Sequence, residues 1–300
     1  MMGKDGKLVP ILTVLAVILG IWYVSVVWLN APFEYDQAKR NNIELSFGEM
    51  VTNSMSQKRP VLPAAHQVFE EIWNTTVLKN ITSKRSLIYH AWITLSVTLL
   101  GFLMGSILGI LLSVGIVYNR AMEKSVMPWV ITSQTIPILA IAPMIIVVLN
   151  AIGFSGLLPK AFISTYLSFF PVVVGMVKGL RSPETSHLDL MRTYYSSNTQ
   201  LFWKLRWPSS MPYLFTSLKV AVAASLVGAI VAELPTGAVA GLGARMLAGS
   251  YYGQTIQIWS ALFVAAIVAA GLVIIVGIVH NIVLKRMGQL EEQNARGAQA

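Results

Sequence analysis

Side chains able to do covalent chemistry are scarce in this 300-residue chain, and those present are not spaced for it. There is no cysteine, which excludes a thiolate nucleophile, a disulfide and a Cys-ligated metal. The four histidines, His66, His90, His187 and His280, are scattered with no ligand spacing, and no metal site is predicted. Neither H-E-x-x-H nor G-x-S-x-G occurs. The Gly3-Lys4 and Gly6-Lys7 pairs lack the hydroxyl residue and upstream glycine of a Walker A loop, so ATP is not bound in that way. A single acid, Glu233, sits in or near an apolar run, which leaves an intramembrane hydrolase without a base or a paired acid. No catalytic residue is predicted.

The chemistry that remains is that of backbone and packing. Pro137 and Pro143 free carbonyls or bend the chain within an apolar run, and such breaks persist only where protein or a wet cavity satisfies the freed groups. Ser133, Gln134 and Thr165 supply polar groups that suit a translocation path there; packing kinks alone are the other reading. Glu233 reads either as a gate or pathway element, because a buried acid in a membrane segment points to function, or as a group at the headgroups. Gly101, Gly105 and Gly109 fall on one helix face and invite close approach of another helix.

The elements that must position these residues follow from composition. Apolar residues make up 55% and charged residues 12% of the chain, against about 25% charged in a soluble protein. That excludes an ordinary soluble enzyme and a disordered chain. The net charge of +9 fits a membrane protein holding basic loops on the cytoplasmic side better than a nucleic-acid binder. A crossing needs about 20 apolar residues. Uncharged runs at 8–33, 86–119, 125–159, 161–177, 212–234 (which admits Lys219) and 246–284 give six. The expected fold is an all-α integral membrane protein with six transmembrane helices and both termini cytoplasmic.

The expected organisation is an N-terminal segment and first helix over 1–33, an extracytoplasmic linker over 34–85, a five-helix core over 86–285 and a cytoplasmic tail over 286–300. Within the linker, Ala65, Val68, Phe69, Ile72 and Trp73 recur at helical spacing after Pro63. They predict a helix that lies on the membrane surface or packs on the bundle.

The cytoplasmic loop 181–211 is the most informative stretch. Ser186-His187-Leu188-Asp189 has capping-box form, predicting a helix from about Ser186 that presents Leu190, Met191 and Tyr194. Ser196-Ser197-Asn198 should break it, and a second segment over 199–207 should lead to Pro208 and Pro212. The result is a short amphipathic element offering apolar knobs to a cytoplasmic partner.

Asp189-Leu190-Met191-Arg192-Thr193-Tyr194-Tyr195, followed at the right distance by Trp207-Pro208, resembles the E-A-A-x-x-x-G-(x)9-I-x-L-P signature of permease subunits of binding-protein-dependent type I ABC importers. Ser209-Ser210-Met211-Pro212-Tyr213-Leu214 and Leu201-Phe202-Trp203-Lys204 resemble flanking family segments. So do the 136–143 run, Phe169-Phe170-Pro171, Gly179-Leu180-Arg181-Ser182 and Ala232-Glu233-Leu234 with Gly241-Leu242-Gly243, which resemble the nitrate, taurine and sulfonate branch. The resemblance covers about residues 60–285. It implies the six-helix type I permease fold and a coupling helix at Asp189 to Tyr195 that inserts into an ATP-binding-cassette ATPase.

The implied partners are two such ATPases, a second permease copy or homologue, a periplasmic substrate-binding protein and the inner membrane. ATP and Mg would be held by the ATPases, and no cofactor by this chain. Three features depart from the signature: Asp189 stands for the glutamate, Leu190 and Met191 replace alanines, and Tyr195 replaces the glycine. If that glycine takes positive φ, a tyrosine there is strained by about 1 kcal/mol or more, and the turn is expected to shift to Ser197-Asn198. An ATP-independent secondary transporter or channel is the alternative reading; it calls for paired intramembrane ions or an inverted repeat, and the sequence has neither.

Overall fold

The computed structural model describes residues 5–235 and 240–288, with side chains from residue 9 onward. The Gly3-Lys4 pair and most of the expected 286–300 tail lie outside these. Among the described residues the chain is helical, without strands. Five helices are long and apolar enough to cross a membrane, and a bent pair makes a sixth if it counts as one span. The chain divides into two compact units, residues 1–90 with 244–265 and residues 91–243 with 266–300.

In the first unit, α1 (Asp5–Arg40) runs unbroken through Pro32. At 1.5 Å per residue its 36 residues span about 54 Å, well beyond a hydrocarbon core of about 30 Å. The helix therefore extends past the expected end at residue 33. Polar staples on its second half explain this. Asn30 is fully buried, donates to the carbonyls of Ser54 (3.0 Å) and Leu62 (2.9 Å), and accepts from Val61 N (2.8 Å). Gln57 donates to Glu34 at 2.6 Å. These bonds fold α2 (Phe47–Ser56) back against α1.

Then comes α3 (Ala65–Thr76), the expected post-Pro63 helix, opened by Ala64 N donating to Gln67. Its apolar residues part company: Val68 is buried, while Phe69 and Trp73 stay exposed and stack on each other. Near the end of the unit's chain, α11 (Leu242–Tyr251) and α12 (Thr255–Arg286) begin.

The second unit is built on α4 (Leu87–Tyr118), α7 (Leu157–Leu180) and α10 (Trp207–Glu233). Val172, Met176 and Leu180 of α7 pack with Met211, Leu214 and Phe215 of α10. The expected third span is not one helix: α5 (Arg120–Ser133) and α6 (Ile138–Ala151) meet at 106°. Pro137 causes the break, since its ring fixes φ and removes the N–H that would continue α5, and Pro137 becomes the N-cap of α6 instead.

Candidate functional site

The helix α8 (Thr185–Thr193) projects with no buried residue. Its start differs from expectation: Glu184 is the N-cap, and Asp189, free of any capping duty, pairs with Arg192 at 3.0 Å across one turn. Ser186 lies inside the first turn and faces Glu184 at 3.4 Å. Leu190 and Tyr194 are exposed, Met191 is half-buried, and Thr193 back-bonds to the Asp189 carbonyl at 3.0 Å.

The C-terminal turn of α8 corrects a second expectation. Tyr195 itself takes φ +50. Its N–H donates to Arg192 O (2.9 Å) and that of Ser196 to Met191 O (3.1 Å), the paired pattern of a Schellman motif. The turn does not shift to Ser197-Asn198, because Ser197 is already committed as the N-cap of α9 (Asn198–Leu201), accepting from Gln200 N. Tyrosine thus occupies the left-handed position where the resembling signature has glycine.

From Asn198 the backbone stays helical to Glu233. Phe202–Arg206 is a π-helical turn, and the N–H of Trp207 reaches back to Phe202 O. This wider register relieves the ring clash that Pro208 imposes on an α-helix. Pro208 and Pro212 therefore lie within a continuous helix, not in a link between two segments. The root of this arm is braced by aromatic contacts that sequence reasoning did not single out. Phe202 packs against Trp203 (4.9 Å), Trp207 (5.7 Å) and Tyr118 (5.9 Å), and the Arg206 guanidinium lies over the Tyr118 ring. Close by in sequence, Arg181 at the end of α7 pairs with Glu123 of α5 at 2.9 Å. The clustering of Trp and Phe beside Lys204 and Arg206 was the available signal.

Gly101, Gly105 and Gly109 lie against α7. A Cβ on Gly101 or Gly105 would collide with the Ser164 or Ser168 hydroxyl, and one on Gly109 would come within 2.7 Å of Val172. Gly228 of α10 approaches the Ser164 backbone equally closely. Hydroxyls bond across these contacts: Ser164 to Ser225 (2.6 Å), Ser225 to Thr98 O (2.7 Å) and Thr165 to Gly101 O (3.3 Å), the last also bonding back along α7 to Ala161 O (2.8 Å). Thr165 also lines a cavity of about 680 Å³ with Met104, Leu108, Met144 and Phe169, but its hydroxyl is engaged, so the cavity wall is apolar.

At the α5–α6 break, Gln134, Thr135 and Pro137 are exposed. Ser133 bonds back to Val130 O (2.7 Å), and its carbonyl accepts from the Tyr166 hydroxyl. Pro143 is exposed within α6. Glu233 belongs to a different cluster. Fully buried, its carboxylate accepts from Thr94 Oγ1 (2.9 and 3.1 Å) and from Gly243 N (2.8 Å) in the first turn of α11, where the helix dipole favours a negative charge. Thr94 in turn accepts from Leu242 N at 2.8 Å. Gly241 has φ +129, and a Cβ there would collide with the carboxylate. Among the described residues no group of three or more His, Asp or Glu could hold a metal.

A multi-pass helical membrane protein with a broken span and an exposed amphipathic helix on a stiff helical stem is the architecture of a transport permease. Residues 86–289 match the family described as "Binding-protein-dependent transport system inner membrane component", and the chain belongs to that family of ABC importer permeases. It is 35% identical to the formylaminopyrimidine transport permease protein ThiX of Halalkalibacterium halodurans, over 56% of this chain and 65% of that protein. A probable ABC transporter permease protein of Haemophilus influenzae is 28% identical over 73% of this chain and 84% of its own length. The fold resembles a chain of the inward-facing MetNI methionine ABC transporter, with a TM-score of 0.56 at 16% identity, covering 67% of this chain and 95% of that one.

Proposed function

We propose that this chain is one half of the transmembrane channel of an ABC importer, passing a small solute from a periplasmic binding protein across the inner membrane. Two ATP-binding-cassette ATPases hold the ATP and Mg, one of them docked on the 186–208 region of this chain and the other on the second permease; this chain contributes no catalytic residue. The observation that carries the reading is the arm itself. α8 buries none of its residues, yet it is closed by a two-bond turn and continues almost directly into a 36-residue helix. An exposed helix on a rigid stem transmits displacement, which is what a coupling lever must do. Leu190, Met191 and Tyr194 supply apolar anchors and Asp189 and Arg192 polar ones, with Thr193, Tyr195 and Pro208 setting the turn and the stem.

The exposed break at Gln134–Pro137 supports the other half of the proposal. Non-helical backbone with polar side chains is not stable facing lipid, so this face meets a second permease or a wet passage. Ser133, Gln134, Pro137 and Pro143 belong to that passage in this reading. Thr165 lies at its edge and Glu233 at its outer end. With both termini cytoplasmic, the 34–85 linker and α3 face outward, the 86–285 core carries the path, and 286–300 is a cytoplasmic tail. Solute specificity rests with the binding protein; the relative named for formylaminopyrimidine suggests a small heterocycle as the first solute to try.

The test is a mild-detergent pull-down from native membranes, subunits and stoichiometry read by mass spectrometry, with the Asp189→Lys/Tyr194→Glu variant alongside. An ATPase present with wild type and lost from the variant is the expected result, and one or two kinds of permease in the complex distinguishes homodimer from heterodimer. An ATPase retained equally by the variant removes α8 as the docking element.

A further inference from the structure

A polar cavity of about 710 Å³ lies within the first unit, lined by Glu71, Asn74, Thr75 and Leu78 of the α3 region, Lys79, Arg85, and Arg245, Gln254 and Gln257 around α11 and the start of α12. Three cations face one carboxylate there. The pairing inside is poor. Arg245 is largely buried, with 12% of its side chain exposed, and its Nη2 meets Glu71 Oε1 only at 3.4 Å. Its Nε is buried with no hydrogen-bond partner among the described residues. A guanidinium cannot shed its proton to relieve this, so the cavity holds positive charge and spare donors. Burial lowers the Arg245 pKa; Glu71 offsets part of this effect, and neighbouring Arg85 adds to it by repulsion.

One rim of the cavity is apolar. Leu78 forms part of its wall and is itself exposed, and Val77 and Ile81, close to it in sequence, are exposed as well. Large aliphatic residues beside a basic cluster, at the end of a short helix that leads into a spanning segment, suit the membrane–water interface. From these two surfaces together we infer that the cavity is a phospholipid site: Arg245, Arg85 and Lys79 take the headgroup phosphate, and the acyl chains run along Leu78, Val77 and Ile81. Arg245 offers planar paired donors suited to a phosphate, and Lys79 a flexible charge at the rim. Asn74, Gln254 and Gln257 are placed to bond the remaining headgroup oxygens.

The experiment is native mass spectrometry of the full-length chain in its transporter complex, delipidated and then offered phosphatidylglycerol, phosphatidylcholine or inorganic phosphate separately. Wild type should retain one phosphatidylglycerol per chain. Arg245→Gln should retain at least tenfold less. Lys79→Gln, an exposed substitution that leaves folding intact, should retain severalfold less, with thermal unfolding unchanged. Equal retention by Lys79→Gln and a folded Arg245→Gln overturns the inference. Occupancy by inorganic phosphate with no lipid retained overturns the lipid assignment. So does unchanged lipid retention in an Arg245→Gln variant that captures the binding protein less well, since the cavity would then hold a protein carboxylate.

Discussion

Replacing Tyr195 by glycine is expected to tighten the turn that ends α8. The Tyr195 backbone sits at φ +50, a conformation that costs an L side chain about 1–2 kcal/mol and glycine almost nothing. The side chain returns no packing, being 96% exposed. Glycine's greater freedom in the open chain offsets about 0.5–1 kcal/mol of the gain, leaving a net stabilisation of about 0.5–1 kcal/mol. At about 1.4 kcal/mol per tenfold, the closing equilibrium of the turn improves about two- to fivefold. Hydrogen–deuterium exchange of the peptide containing Ser196, whose amide donates to Met191 O, reads this directly. Exchange should slow by that factor in Tyr195→Gly and quicken in Tyr195→Val, because a β-branched residue tolerates positive φ worst. If glycine and valine quicken exchange alike, the tyrosine ring is holding the turn and the strain argument is refuted.

The packing of the second unit gives a matched pair of substitutions. Gly228→Ala places a Cβ 2.7 Å from Ser164 Cα and 3.2 Å from Ile163 O, backbone atoms that cannot rotate away, whereas Gly271→Ala on α12 meets nothing within 4 Å. The first should cost about 1–3 kcal/mol and lower the melting temperature in detergent by several degrees; the second should leave it level or raised. Glu233→Ala strips the acceptor from Thr94 and from Gly243 N, at about 1–3 kcal/mol for each buried donor left unmade, and Glu233→Gln should lose less. Thermal unfolding measured beside solute uptake separates a staple from a gate: lost uptake at an unchanged melting temperature in Glu233→Ala would contradict the structural role. Because the chain has no cysteine, Gln134→Cys can be probed cleanly with a membrane-impermeant thiol reagent. It should react in the assembled transporter, while Ile18→Cys on α1 should not. Silence at Gln134 would place the break against dry protein.

What could be read beforehand was whatever depends on neighbours in sequence. The glycine face of α4 repeats every four residues, so its close approach to another helix was legible, although which helix was not. The Pro137 break was visible as a proline in an apolar run, but a 106° bend was not, since its size depends on how α5 packs against Phe169 and Val173 and α6 against Ile163. The spans were countable because burial in lipid needs only length and apolarity. The capping box at Ser186 failed for a related reason: local patterns compete, and with Glu184 as the N-cap the helix starts early enough that Asp189 falls beyond N3 and faces Arg192 instead.

The features that were illegible are those made by distant partners. Thr94 and Glu233 are 139 residues apart, Glu71 and Arg245 174 apart, and Asn30 reaches Leu62 across 32. In each case the sequence shows a polar side chain but not its partner: Thr94 and Glu233 join two spanning helices, Glu71 and Arg245 two short ones, and Asn30 ties the segment after α2 to α1. The same logic explains why the functional arm looks as it does. Contacts that fix a membrane bundle are spent inside it, at glycines, hydroxyls and buried acids. α8 is left with its apolar side chains unburied, a strained residue at its end, and a stem braced by Tyr118, Phe202 and Trp207. A helix that served only the fold of this chain would bury one face; one that buries none is held ready for another protein.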